Sequence, residues 1–232
     1  MNDPFIYLYT LLTMIVFTAA IKLAKRLKSA ILNPFLLSLA MLIPILVLIK
    51  IPFRTYYQGN FPLNELLGVS VVALAIPFYE QLPQLLKHWR KILIIVLSST
   101  FLTMITGVAF ALCVEADPEI IAAILPKSVT TAIAISISEE IGGSSAISAV
   151  AVLIAGITGS SIGLVILRWV QVTNTHSIGL SMGAVSHALG TARSMEYSVK
   201  AGSYASVAMV LCGVFSSVVS PFVFKIVLKW MM

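Results

Sequence analysis

Apolar residues in this chain come in blocks rather than in alternation, and each block can be measured against a bilayer. Phe5 to Ala24 has about the 20 residues a spanning helix needs. It ends in Lys22, Lys25, Arg26 and Lys28, a basic cluster that the charge rule places in the cytoplasm, with the N-terminus outside. A second span opens at Asn33-Pro34 and runs to Ile49 with Pro44 inside it. The segment from Lys50 to Asn64, with Pro52, Arg54, Tyr56, Tyr57, Gly59 and Pro62, reads as an outer loop with interfacial aromatics. Glu65 to Leu86 is an interrupted third span. Pro77, Tyr79, Glu80, Gln81 and Pro83 mark either a functional kink or a helix ending at the inner interface before Lys87, His88, Arg90 and Lys91.

Ile92 to Val114 is a clean fourth span that leads to an acidic outer turn at Glu115, Asp117 and Glu119. The rest of the chain departs from that regularity. Ile120 to Ser138 is long enough to cross, yet Pro126-Lys127 breaks it. Ala146 to Leu167 crosses, with Gly156, Gly159 and Gly163 spaced for close helix approach and, in principle, for a homodimer. His176 to Thr191 is short and glycine-interrupted for a span, and Tyr204 to Trp230 is the last. The pattern predicts an all-α polytopic membrane protein of about seven or eight segments, some of them half-helices or re-entrant. Helices of residues 5–114 would flank a motif-bearing core of residues 120–230 in one membrane domain. If one polar segment only dips in and returns, parity brings Lys225 and Lys229 to the cytoplasmic side.

Composition agrees. Of 232 residues, 59% are hydrophobic and 10% charged, where a soluble domain carries about a quarter charged. The net charge of +6 is distributed between apolar spans, so it reads as helix orientation rather than as a nucleic-acid surface. Cys113 and Cys212 stand alone in apolar surroundings, and neither a disulfide framework nor a metal site is expected. No cofactor motif is read. No serine is taken as a nucleophile elbow, no H-E-x-x-H or phosphate loop is found, and adjacent Ser186 and His187 do not make a triad, so no enzyme is expected.

The candidate chemistry sits in the two interrupted segments. In the first, an ammonium at Lys127 either snorkels to the interface or attracts an anion at the start of the half-helix that Pro126 begins. Ser128, Thr130 and Thr131 would add hydroxyls there, and Gly142-Gly143 would allow a tight turn after Glu139 and Glu140. In the second, Ser186 and His187 lie between Gly183 and Gly190. His187 either binds a carboxylate or carries a proton, or it simply bonds a neighbouring helix. Thr191 and Arg193 follow; Arg193 either grips a carboxylate or pairs with Glu196.

The runs Leu125-Pro126-Lys127-Ser128-Val129-Thr130-Thr131, Ile141-Gly142-Gly143 and Gly183 to Arg193, with a weaker one from Val72 to Glu80, resemble the LrgB/CidB family over essentially the whole chain. The resemblance implies a multi-pass protein of the bacterial inner membrane. It implies either of two roles: an antiholin-like regulator of autolysis acting with a small LrgA/CidA-type membrane partner, or a translocator of small organic acids such as glycolate, glycerate or pyruvate. A carboxylate translocator is the first expectation, with the regulator as its alternative. Glu139-Glu140 departs from the small or uncharged residues expected before the glycine pair.

Overall fold

The computed structural model describes residues 5–27, 34–63, 65, 66, 76, 79, 82, 83 and 86–231. Among them all regular structure is helical. Most of the expected third span, residues 65–86, and the run from Val72 to Glu80 fall outside the described residues. Helices of the length and apolarity that a bilayer requires are Tyr7–Leu27, Trp89–Cys113, Ser145–Trp169 and Val199–Met231. A bent pair, Pro34–Leu48 with Phe53–Gly59, makes up to 5 if it counts as one span. The described residues therefore carry 4 to 5 of the spans expected. The surface is apolar, with Leu102, Ile105, Phe222 and Trp230 exposed, while Ser138, Ser148, Ser194 and Ser203 are fully buried. That inversion suits lipid outside and packed small residues inside.

The chain forms two compact units, residues 1–75 and 76–232. In the first, α1 (Phe5–Leu27) packs on α2 (Pro34–Leu48) and α3 (Phe53–Gly59). Where an aromatic loop is expected, the chain turns by 120° into α3 instead. The reason is polar. The Thr13 hydroxyl, facing α3 from α1, meets Tyr56 Oη at 2.7 Å and Asn60 Oδ1 at 3.0 Å. Gly59 lies under the Tyr9 ring, where no Cβ would fit. A hydroxyl and an amide inside a membrane need each other more than they need a loop.

The second unit comprises α4 (Trp89–Cys113), α5 (Pro118–Ile124), α6 (Thr131–Glu140), α7 (Ser145–Trp169), α8 (Thr175–Tyr197) and α9 (Val199–Met231). α4, which the sequence groups with the N-terminal helices, packs on α5, α8 and α9. Two of its neighbours are hairpins that enter the protein from opposite ends.

The α8 run is nominally one helix, but Ser186 (φ −126°, ψ 18°) and His187 (φ 40°, ψ −130°) are not helical. A Cβ on Gly190 would strike the carbonyl oxygen of Met182. In a straight helix those positions lie about 12 Å apart along the axis, so the chain has folded back at 186–187. Gly179 meets Ala201 and Gly183 meets Ala205. Residues 175–185 therefore run parallel to α9, and 188–197 form the return stroke between them. Against α7, Gly156 meets His187, Gly159 meets Ser186 and Gly163 meets Met182. That antiparallel register puts the hairpin tip beside the middle of α7.

α5 and α6 form the opposing hairpin. Pro118 opens α5, Pro126 lies in the turn that ends it, and α6 begins after Thr130. Gly143, just beyond α6, presses on Ala122 and Ala123 of α5 and on Ser138 Oγ, so α6 returns beside α5. Gly142 sits at φ +86°, a left-handed turn that glycine enters without strain.

α4, α7 and α9 are long and apolar enough to cross a membrane, and both polar segments turn back within the unit. One end of the unit gathers His88, Arg90, Lys91, Arg168 and Lys200, and the other gathers Glu115, Asp117, Glu119, Glu139 and Glu140 together with Lys225 and Lys229 of α9. α9 ends at the acidic end, away from Lys87 to Lys91. Lys225 and Lys229, expected on the side of that basic cluster, therefore lie at the other end of the unit.

Candidate functional site

The hairpin tips approach the same region of the unit. Along α4, Thr103 lies ten residues before Cys113, about 15 Å from that end. There the Lys127 ammonium, carried by the α5–α6 tip, donates to the Thr103 carbonyl at 2.7 Å. A Cβ on Gly107 would stand 2.5 Å from Lys127 Nζ, so glycine is what lets the ammonium lie against α4. Lys127 thus reaches inward, not to the interface.

A cavity of about 670 Å³ opens between α4, α7, the first stroke of α8 and the Lys127-Ser128 turn. Its polar points are Lys127, Ser128, Thr158, Ser181 and Ser186; its walls include Phe110, Ile154, Ile162 and Ile166. Thr103 and Thr106 also line it, but their hydroxyls bond the Thr100 carbonyl at 2.9 Å and the Leu102 carbonyl at 2.8 Å. Ser186 is 1% exposed and its Oγ has no hydrogen-bond partner. No carboxylate pairs with Lys127 among the described residues.

Of the residues expected at a site, Lys127, Ser128 and Ser186 line this cavity. Thr130 caps α6 through its extended backbone, and Thr131 is exposed on the first turn. Gly142 and Gly143 build the turn after α6. Glu139 accepts from Ser145 Oγ at 2.6 Å near the acidic end. His187 Nε2 donates to the Val152 carbonyl at 3.0 Å, the helix-bonding option left open above. Thr191 donates to the His187 carbonyl at 2.9 Å, so both serve the bend in α8. Gly190 makes the close return possible. Arg193 pairs with Glu196 at 2.6 Å.

Sequence reasoning missed Thr103 and Gly107, because the fourth span looked clean. The available signal was a polar Thr103, Thr106, Gly107 face inside an apolar run. It also passed over Gly179-Leu180-Ser181-Met182-Gly183, which does have G-x-S-x-G spacing. Ser181 stands within the first helical stroke of α8, not on a strand-to-helix elbow. Among the described residues, no three His, Cys, Asp or Glu side chains gather to hold a metal.

Comparison with known proteins places this architecture. The model of the LrgB-like family matches residues 13–226. An uncharacterized protein of Haemophilus influenzae is 48% identical over 98% of both chains. YxaC of Bacillus subtilis, also uncharacterized, is 38% identical over 92% of this chain and 93% of its own. The holin-like protein CidB of Staphylococcus epidermidis is 29% identical over 92% of this chain and 93% of its own. No solved structure matches. With a family model spanning both hairpins and the helices around them, this multi-pass membrane protein belongs to the LrgB-like family.

Proposed function

We propose that the protein is a holin-like or antiholin-like membrane component that regulates autolysis, or murein hydrolase export, together with a small LrgA/CidA-type membrane partner in the bacterial inner membrane. The observation that supports this reading is the match to the holin-like protein CidB along 92% of the chain. The basic end faces the cytoplasm by the positive-inside rule, which leaves the acidic turns and the end of α9 outside. The test is detergent-induced lysis of a host deleted for its own LrgB-like gene and complemented with this chain, with and without the small partner. An altered lysis rate that persists in Lys127→Met supports a regulator working through assembly. An unchanged rate overturns it.

A second reading, a carrier of small organic acids, is favoured by one feature of the geometry: an ammonium with no carboxylate partner and a buried hydroxyl with no hydrogen-bond partner line one cavity between two opposed hairpins. Proteoliposome counterflow of glycolate, lactate and pyruvate tests it. Saturable uptake that Lys127→Met abolishes supports a carrier, and absence of uptake by folded protein removes it.

A further inference from the structure

The cavity beside Lys127 is far larger than its polar part. At about 30 Å³ per water-sized group, the five heavy atoms of a two-carbon hydroxy acid would displace about 150 Å³, against about 670 Å³ present. The volume falls within the range of about 300–1,000 Å³ of pockets that enclose drug-sized ligands. The space is elongated. Its α7 wall runs from Ala151 to Leu167, about 24 Å at 1.5 Å per residue.

Lys127 and Ser128 share the α5–α6 turn, while Thr158, Ser181 and Ser186 line the cavity from α7 and α8. Lys127 has three donors and gives one to Thr103. Ser186 Oγ is buried without a partner. Thr103 and Thr106, on the stretch of α4 where the Lys127 ammonium rests, direct their hydroxyls to their own helix, and Phe110, Ile154, Ile162 and Ile166 supply apolar walls.

We propose that this cavity binds an elongated carboxylic acid with a single anionic head and an unbranched apolar tail. The head lies on Lys127, Ser128 and Ser186, and the tail lies between α4 and α7. The lone ammonium calls for one negative charge, because an unpaired cation in apolar surroundings is costly and a carboxylate accepts its remaining protons. The walls call for the tail. This inference rests on the carrier reading only for the charge of the ligand, which it narrows to one shape, and it is independent of the regulatory reading.

The test uses the full chain in zwitterionic lipid nanodiscs with a diazirine-bearing decanoic acid as probe, and labelled peptides are located by mass spectrometry. Labelling is expected on the facing sides of α4 and α7. Unlabelled decanoate should compete at least tenfold better than decanol, which partitions into lipid equally well but lacks the charge, and tenfold better than glycolate. Lys127→Met should cut labelling at least tenfold, Ser186→Ala about threefold, and Lys127→Arg should retain most of it. If Lys127→Met fails to fold, the competitor series on the unaltered protein decides alone. Equal competition by decanol would reduce the result to partitioning and overturn the proposal. Equal competition by glycolate would overturn it while leaving a small-acid carrier standing. Loss of labelling in discs containing phosphatidylglycerol would give the groove to a lipid headgroup instead, and labelling confined to the outer helix faces would also end it.

Discussion

The two re-entrant hairpins reach similar depths by different means. At the α5–α6 tip the chain is turned by proline, and the polar group it delivers, Lys127, bonds one carbonyl of a distant helix and faces a cavity. At the α8 tip the turn is made by residues that no breaker rule marks, and the polar group there, His187, is consumed in holding the bend to α7. Thr191 and Gly190 serve that same bend. A proline turn leaves its polar side chains available, whereas a turn forced through a positive φ at a histidine uses its own to persist. The first tip is thus built to present chemistry and the second to position it, with Ser186 alone reaching the cavity from the second.

Substitutions can break that contrast. The largest effect belongs to the return stroke of α8. Gly190→Val would drive two methyl groups into the Met182 carbonyl, and a loss of about 3 kcal/mol or more is expected, read as collapse of the monodisperse peak in size-exclusion chromatography and a lowered melting temperature. Next comes the bend itself. His187→Ala loses the Val152 bond and keeps the strained φ of 40°, whereas His187→Gly loses only the bond. The glycine variant should be the more stable of the two by about 1 kcal/mol in thermal denaturation. Equal melting points would mean that the strain is not borne there.

The α5–α6 tip should respond in the opposite sense. Lys127→Met removes a charge from apolar surroundings and gives up one hydrogen bond, so stability should change by no more than about 1 kcal/mol and can rise. A loss as large as that of Gly190→Val would make Lys127 structural and erase the distinction between the tips. The smallest effect is expected at Arg193→Gln. It breaks an ion pair in which Glu196 is 54% exposed and should shift stability by about 0.5 kcal/mol or less in the same melts.

Both interruptions were legible in the sequence. Pro126-Lys127 announced a break because proline removes a donor and an intramembrane ammonium needs a partner. The 176–193 run announced one because it is too short and too rich in glycine and serine to cross alone. The partners were less legible. The polar face of Thr103, Thr106 and Gly107 is only a faint mark of the helix on which Lys127 rests, since the glycine there matters only once an ammonium is laid against it. His187, Thr191 and Arg193 looked like site residues because polar groups in a membrane are functional by default. The Val152 partner of His187 follows from how the chain folds, whereas Glu196, three residues from Arg193, was already one of the two options at that position.

The sequence by itself determined the solvent: blocks of apolar residues at bilayer length make a membrane protein, because hydropathy belongs to each segment separately and is judged against lipid. It also marked the break at Pro126, where proline removes a backbone donor. Only the tertiary structure decided that both interrupted segments turn back, from opposite ends, and which side chains they leave facing a cavity. A reversal inside a bilayer must satisfy its freed backbone and polar groups on other segments. Those segments, Met182 under Gly190, Ala205 under Gly183 and Thr103 under Lys127, meet only when the chain is packed.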